Sequence, residues 1–234
     1  LEGAARRPAS FDIDRGCTCR KPIGRAILRG MSKGAQTRRE IVDRALALAG
    51  EVGLERLSLG SLAAEVQLSK SGLFAHFKSK EALQLDVLRL AIERFVAAVV
   101  EPALARPRGE PRVQVLFDRF LAWVGGDERQ GSCIFMALTH EYDDRPGPVR
   151  DLLVASQRDW QATLARAASI AIEAGHFRAD LDVEQFAYEF VGIGMAFQQA
   201  HRLLADARAE SRAQAAFAAL LARSRGDVAL RALP

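Results

Sequence analysis

The sequence predicts an all-α protein: a small three-helix head followed by a larger helical body. Three observations predict it. Alanine is abundant and runs of β-branched residues are few, which favours helix. Apolar residues recur at helical spacing through most of the chain. The stretch from Leu57 to Lys80, LSLGSLAAEVQLSKSGLFAHFKSK, reads as two short helices around a tight turn, then the start of a longer helix.

Residues 1–30 hold Arg, Gly, Pro and Ser without apolar periodicity and are expected to form a disordered basic extension. Met31, followed by Ser-Lys-Gly, is a candidate for the natural start. Cys17 and Cys19 form a thiol pair with no further ligands nearby, so no metal site is expected. With Cys133 they make three cysteines, too few for a disulfide framework. No long apolar run spans a membrane and no signal peptide is visible, so a cytoplasmic protein is expected.

Residues 37–52 form the first helix. Thr37-Arg-Arg-Glu40 has the form of a capping box, and Gly53 ends the helix. Ile41, Val42, Ala45, Leu46, Leu48, Ala49 and Val52 share one apolar face. Arg38 and Arg39 then fall in the first turn, where the macrodipole disfavours cations. A nearby phosphate relieves that cost, as does a salt bridge to Glu40 or Asp43.

Ser58 caps the second helix, whose apolar stripe is Leu62, Ala63 and Val66. Gln67 and Leu68 make the turn. Ser69 caps the third helix, Lys70 to His76, polar at its leading end and apolar at Leu73, Phe74 and Phe77. A short helix led by Ser, Lys, Ser and Gly suits the DNA major groove, where the first residues of a recognition helix meet base edges. The net charge of +4 agrees, because the positive excess lies in the first eighty residues and the remainder is net negative. An ordinary αα-hairpin with a solvated charged face remains the alternative.

Ser79-Lys80-Glu81 caps a fourth helix running to about Leu104. From the capped first helix through LSLGSLAAEVQLSKSGLFAHFKSKEAL, the chain resembles the DNA-binding domain of the TetR (tetracycline-repressor-like) family of transcriptional regulators. The resemblance covers about residues 35–90, and SKSGLFAHFKSKEAL is its most specific portion. It implies that Ser69, Lys70, Ser71 and Gly72 lead the recognition helix into the groove. It places Phe74 and His76 near the backbone, and Lys80 on a phosphate. Thr37, Ser58 and Ser61 are further phosphate candidates, since helix N-termini offer free N–H groups. Lys70 is the base-contact candidate, able to donate to guanine O6 and N7, with a phosphate contact as the equal alternative. Four positions depart from the family pattern. Phe74 replaces a frequent Tyr and is expected to pack. Gln67 replaces a frequent Gly and is expected at positive φ, at a cost of roughly 1 kcal/mol. Gly60 and Ala75 are short where longer side chains reach DNA.

In the body, Leu83, Val87, Leu90, Ala91, Phe95 and Val99 stripe the fourth helix. Pro102 to Pro111 reads as a linker. Arg112 to Val124, Cys133 to His140, Asp151 to Ala174, Asp182 to about Ala205, and Ser211 to Leu221 read as further helices, with a turn-rich break at residues 141–148. Asp182-Val-Glu-Gln185 is a second capping box. Candidates for a ligand cavity are Trp123, Cys133, Phe135, Met136, His140, Tyr142, Trp160, Tyr188 and Phe197, large apolar walls with a few polar groups. Phe186, Phe190, Ile193, Gly194, Phe197, Phe217, Leu220 and Leu221 offer more apolar surface than one packing partner needs. They are the expected dimer faces, with closure of the monomer's own core as the alternative.

These readings divide the chain into an extension (1–30), a DNA-binding head (31–80), a ligand-binding and dimerisation body (81–225) and a tail (226–234). The expected protein is a ligand-responsive homodimeric repressor on a palindromic operator. Its partners are double-stranded DNA, a second copy and a small apolar or amphipathic ligand. No cofactor, metal or membrane is expected. No Ser–His–Asp, HExxH, P-loop or dinucleotide motif occurs, so no catalysis is expected. Two other classes remain: an all-helical small-molecule-binding or catalytic protein with a structural hairpin, and a thiol or metal sensor using Cys17, Cys19 or Cys133.

Overall fold

The computed structural model describes residues 33–126 and 134–225, and all regular structure among them is helical. Helix α1 (Lys33–Val52) is followed by α2 (Leu59–Glu65) and α3 (Lys70–His76). Helix α4 (Lys80–Phe95) continues through a π-helical turn (Val96–Val100) and a last α turn (Glu101–Leu104). The body adds α5 (Glu110–Gly125), α6 (Ile134–Tyr142), α7 (Pro148–Glu173), α8 (Val183–Gln198) with a second π-helical turn (Gln199–Leu203), and α9 (Ala209–Arg225).

Side-chain caps set four of the described helix starts. Ser58, Ser69 and Ser79 accept from the backbone N–H of Ser61, Gly72 and Ala82 at 3.0–3.1 Å. Asp182 accepts from both Glu184 and Gln185. Its capping box is one-sided, because the Gln185 amide turns away to Glu189.

Four expectations are corrected. Helix α1 starts at Lys33, so Thr37 is not its cap: its hydroxyl donates to the Lys33 carbonyl inside the helix, and Glu40 accepts from Gln36. Arg38 and Arg39 therefore sit beyond the first turn. They pair with Asp86 and Glu93 of α4 rather than with Glu40 or Asp43, while Arg94 of α4 pairs with Asp43. The linker shrinks to residues 105–109, because Pro102 and Pro111 lie in the first turns of helices, where the missing N–H costs nothing. Pro148 likewise opens α7, and α6 extends to Tyr142.

The fourth correction concerns the expected dimer faces. Phe186, Phe190, Gly194, Phe197, Phe217, Leu220 and Leu221 are buried within the chain itself, and Ile193 is half-buried against the same core. Phe117 stacks on Phe217 at 3.8 Å between centroids and stands edge-on to Phe190 at 5.4 Å. A methyl group at Gly194 would lie 2.1 Å from Phe120, so α8 meets α5 only because no side chain intervenes.

Two apolar cores result. The body core joins α4 beyond Phe95 to α5, α7, α8 and α9. The head core joins α1, α2, α3 and α4, and is closed by Ile134, Leu138 and Tyr142 of α6 with Val149 and Leu153 of α7. Helices α4 and α7 contribute to both.

Candidate functional site

The outward face of the head is built by α3. Leu73 and Phe77 bury its inner side, which leaves Lys70, Ser71, Phe74, Ala75 and the following Lys78 exposed. Phe74 is 51% exposed and does not pack, contrary to expectation. Lys70 lies over Gly60, where a methyl group would meet its Cε at 3.6 Å. That is ordinary contact, so an alanine at position 60 would pack on the Lys70 stem without displacing it. Gln67 holds the expected positive φ, 54°, and closes the turn between α2 and α3.

The other head candidates divide by environment. Ser58 and Ser61 are exposed and hydrogen-bonded to each other at 2.9 Å, and Ser69 to Ser71 at 3.1 Å. Gly72 serves the cap of α3. His76 is half-buried, and its carbonyl accepts from Arg38, whose guanidinium also lies 4.5 Å above the Phe77 ring. Arg38 therefore anchors α3 to α1 and α4, a role the sequence reading missed. The Lys80 ammonium is turned inward onto the backbone carbonyl and carboxylate of Glu55, so it is not a free phosphate ligand. Thr37 is engaged within α1.

Glu55 is also the centre of a polar cluster. Its carboxylate accepts from Lys80, from the Gln84 amide at 3.3 Å and from the Tyr142 hydroxyl at 3.2 Å. The Lys80 contact holds the Glu55 carboxyl below the usual range, against an opposing effect of burial. The Tyr142 hydroxyl is pushed above its ordinary value, first by burial and then by the Glu55 charge. Beside it, the Glu141 carboxylate accepts from the backbone N–H of Leu54 and Glu55 at 3.1 and 3.3 Å. The end of α6 is thus fastened to the α1–α2 turn.

The other face of α6 lines a cavity of about 870 Å³ in the body. Five of the expected residues border it: Trp123, Phe135, Met136, His140 and Trp160. Tyr142 does not, and borders a separate recess of about 190 Å³. Tyr188 is 71% exposed, and Phe197 is buried against His201, its ring stacked at 5.2 Å. Cys133, like Cys17 and Cys19, lies outside the described residues. Missed were Phe95, which its spacing assigns to the stripe of the fourth helix, Phe120 within the fifth, and the polar residues Gln157, Gln199 and Arg202. Both π-helical turns adjoin the cavity: one follows Phe95, and the other carries Gln199 and Arg202. Such turns recur at functional sites. Gly50 of α1 and Ile92 of α4 also border it, so the cavity reaches the head.

A capped helix–turn–helix presenting a polar and basic face, packed through α4, α6 and α7 on a body that holds a largely apolar cavity, is the architecture of a transcriptional regulator with its own sensing domain. The comparisons specify which. Residues 41–87 match the model of the tetR family of bacterial regulatory proteins, and residues 109–217 that of the tetracyclin repressor-like C-terminal domain. The chain belongs to the TetR family. It is 29% identical over 136 residues to the HTH-type transcriptional regulator TcmR of Streptomyces glaucescens, a match spanning 56% of this chain and 58% of that protein. A TetR transcriptional regulator from Chloroflexus aurantiacus shares the fold at TM-score 0.70 and 24% identity, over 82% of this chain and 95% of that one. AibR, solved with isovaleryl coenzyme A and operator DNA, does so at TM-score 0.62 and 21% identity, over 80% and 97%. Among the described residues no helix is long and apolar enough to cross a membrane.

Proposed function

We propose that the chain is a ligand-responsive, DNA-binding repressor that acts in the cytoplasm as a homodimer on a palindromic operator. One observation carries the reading: α4 starts three residues after Phe77 closes α3, and its far end places Phe95 on the cavity wall. A ligand packing on Phe95 thereby acts on the element that positions α3. Helix α6 gives a second connection, with His140 on the cavity and Glu141 and Tyr142 on the head turn. The ligand must bind the form that cannot hold DNA more tightly, or no shift follows.

The second copy docks on the two helices expected from sequence, through their outward residues rather than their buried stripes. Tyr188, Gly192, Met195, Gln199 and Leu203 recur at helical spacing and are exposed on α8 and its π turn, the last three also bordering the cavity. Exposed alanines of α9, Ala215, Ala218 and Ala219, allow a close approach beside them. Two recognition helices related by this dyad read two half-sites.

The test is selection of bound DNA from a random pool with the full chain, followed by titration with the cavity ligand once it is known. A palindromic site supports the reading. Binding that is absent at low salt, or featureless in sequence, overturns it.

A further inference from the structure

The cations of the head fall into two groups. Arg38 and Arg89 share Asp86, Arg39 holds Glu93, Arg44 holds Glu65, Arg94 holds Asp43 and Lys80 holds Glu55. The others between residues 33 and 95 are Lys33, Arg56, Lys70 and Lys78. All four are exposed, and none meets a carboxylate among the described residues. Lys33 opens α1. Lys70 stands in the first turn of α3, Lys78 two residues past its end, and Arg56 two residues ahead of the Ser58 cap of α2.

The head holds the backbone at Arg56 and Lys78 firmly. Leu57 and Phe77, their neighbours in sequence, are buried in the head core. The Arg56 loop is also tied to the start of α4. Lys80 donates to the backbone carbonyl and carboxylate of Glu55, and Gln84 donates to the Leu54 carbonyl at 3.0 Å. Arg56 and Lys78 are thus exposed on two loops that one polar clasp joins.

We infer that Arg56 and Lys78, rather than Lys80, hold DNA phosphates beside the recognition helix. The inference rests on the reading of α3 as the element that enters the major groove. In a helix–turn–helix the first helix crosses the backbone while the second lies in the groove. Arg56 precedes the first and Lys78 follows the second, so both fall at the rims where phosphates run. Either can exchange water for a phosphate without giving up an ion pair. Lys80 must first leave the Glu55 carboxylate at 3.1 Å and the carbonyl beside it. A phosphate approaching Lys80 also approaches that carboxylate, whose repulsion offsets the attraction of the ammonium.

Fluorescence anisotropy follows the full chain on its selected duplex over a salt series. Arg56→Gln and Lys78→Gln are each expected to lower the logarithmic salt slope by about one for each protomer bound. Each should weaken selected and unrelated duplexes alike, because phosphate contacts carry no sequence information. Their urea midpoints are expected to match wild type, since neither side chain has a partner among the described residues. Arg56→Lys and Lys78→Arg should keep the slope. Lys80→Gln should do the reverse of the first pair: an unchanged slope with a lower urea midpoint, because Glu55 loses its cation. A wild-type slope in Arg56→Gln or Lys78→Gln, or a slope lowered by Lys80→Gln, overturns the inference. A chain that selects a duplex and fails these slopes loses the inference alone. One that selects no duplex loses the regulator reading with it.

Discussion

The Glu141 carboxylate occupies the space that a side chain at Gly53 would need: a methyl group there would lie 2.0 Å from Oε1. Gly53 has φ +89°, so the position excludes side chains by backbone as well as by contact. Gly53→Ala is expected to lower stability by about 2 kcal/mol, from positive φ and from the displaced carboxylate. Glu141→Ala is expected to remove the second part only. Urea unfolding of both single variants and the double variant should show less than additive loss. Full additivity would mean that the two residues do not compete for one space.

Lys70 separates two kinds of DNA contact. If it donates to a guanine, Lys70→Ala should cost about 1–3 kcal/mol on the selected site and relax the sequence preference there. If it holds a phosphate, binding should weaken on all sequences alike, with the logarithmic salt slope reduced by about one. Fluorescence anisotropy over a salt series decides between them. Unchanged affinity and slope would remove Lys70 from the interface.

Acid should loosen the head through Glu55. Its carboxyl is held low in the folded state, so the folded protein binds fewer protons than the unfolded chain. The stability it contributes is complete above the unfolded value and is lost as pH falls through the folded one. The urea midpoint is therefore expected to drop between about pH 5 and pH 3, and Glu55→Gln should flatten that part of the profile. A variant that keeps the full slope would assign it to other carboxylates.

The dimer proposal predicts a contrast between two faces of one helix. Tyr188→Glu with Met195→Glu should halve the mass seen in sedimentation equilibrium while leaving helix content intact. Phe190→Ala, in the core, should instead lower stability by about 3–5 kcal/mol through a cavity. A Tyr188/Met195 double variant that stays dimeric would move the interface elsewhere.

Gly194→Ala tests the cavity wall. The added methyl meets Phe120, a buried ring beside the cavity, and overpacking of this kind costs about 1–3 kcal/mol. The ring is expected to move into the cavity and weaken binding of an apolar fluorescent probe such as anilinonaphthalene sulfonate. Unaltered affinity would show that α8 yields instead.

Local signals were the legible ones. Ser58, Ser69 and Ser79 mark helix starts because a cap involves neighbours in sequence, and the structure places α2, α3 and α4 directly after them. The same logic misled at Thr37, where helix-compatible residues upstream let α1 begin a turn earlier. Phe190 and Phe217 read plainly as apolar stripes, but a stripe does not say whether its cover comes from the same chain or another. Glu141 and Leu54 were not legible together, since 87 residues separate them and no periodicity connects them. The cavity was half legible. Its tryptophans stood out as large residues with a polar edge, whereas Phe95 and Phe120 looked like ordinary core.

The shared head core bears on how such proteins can be recombined. Ile134, Leu138, Val149 and Leu153 close it from α6 and α7, far along the chain from the helix–turn–helix. A transplant of residues 33–95 onto a foreign body would therefore arrive with one side of its interior open to water. The portable module is discontinuous: it is the three leading helices, the fourth, and the far segment that roofs them. Exchange of DNA specificity between relatives is easier by changing the outward residues of α3 than by swapping heads whole.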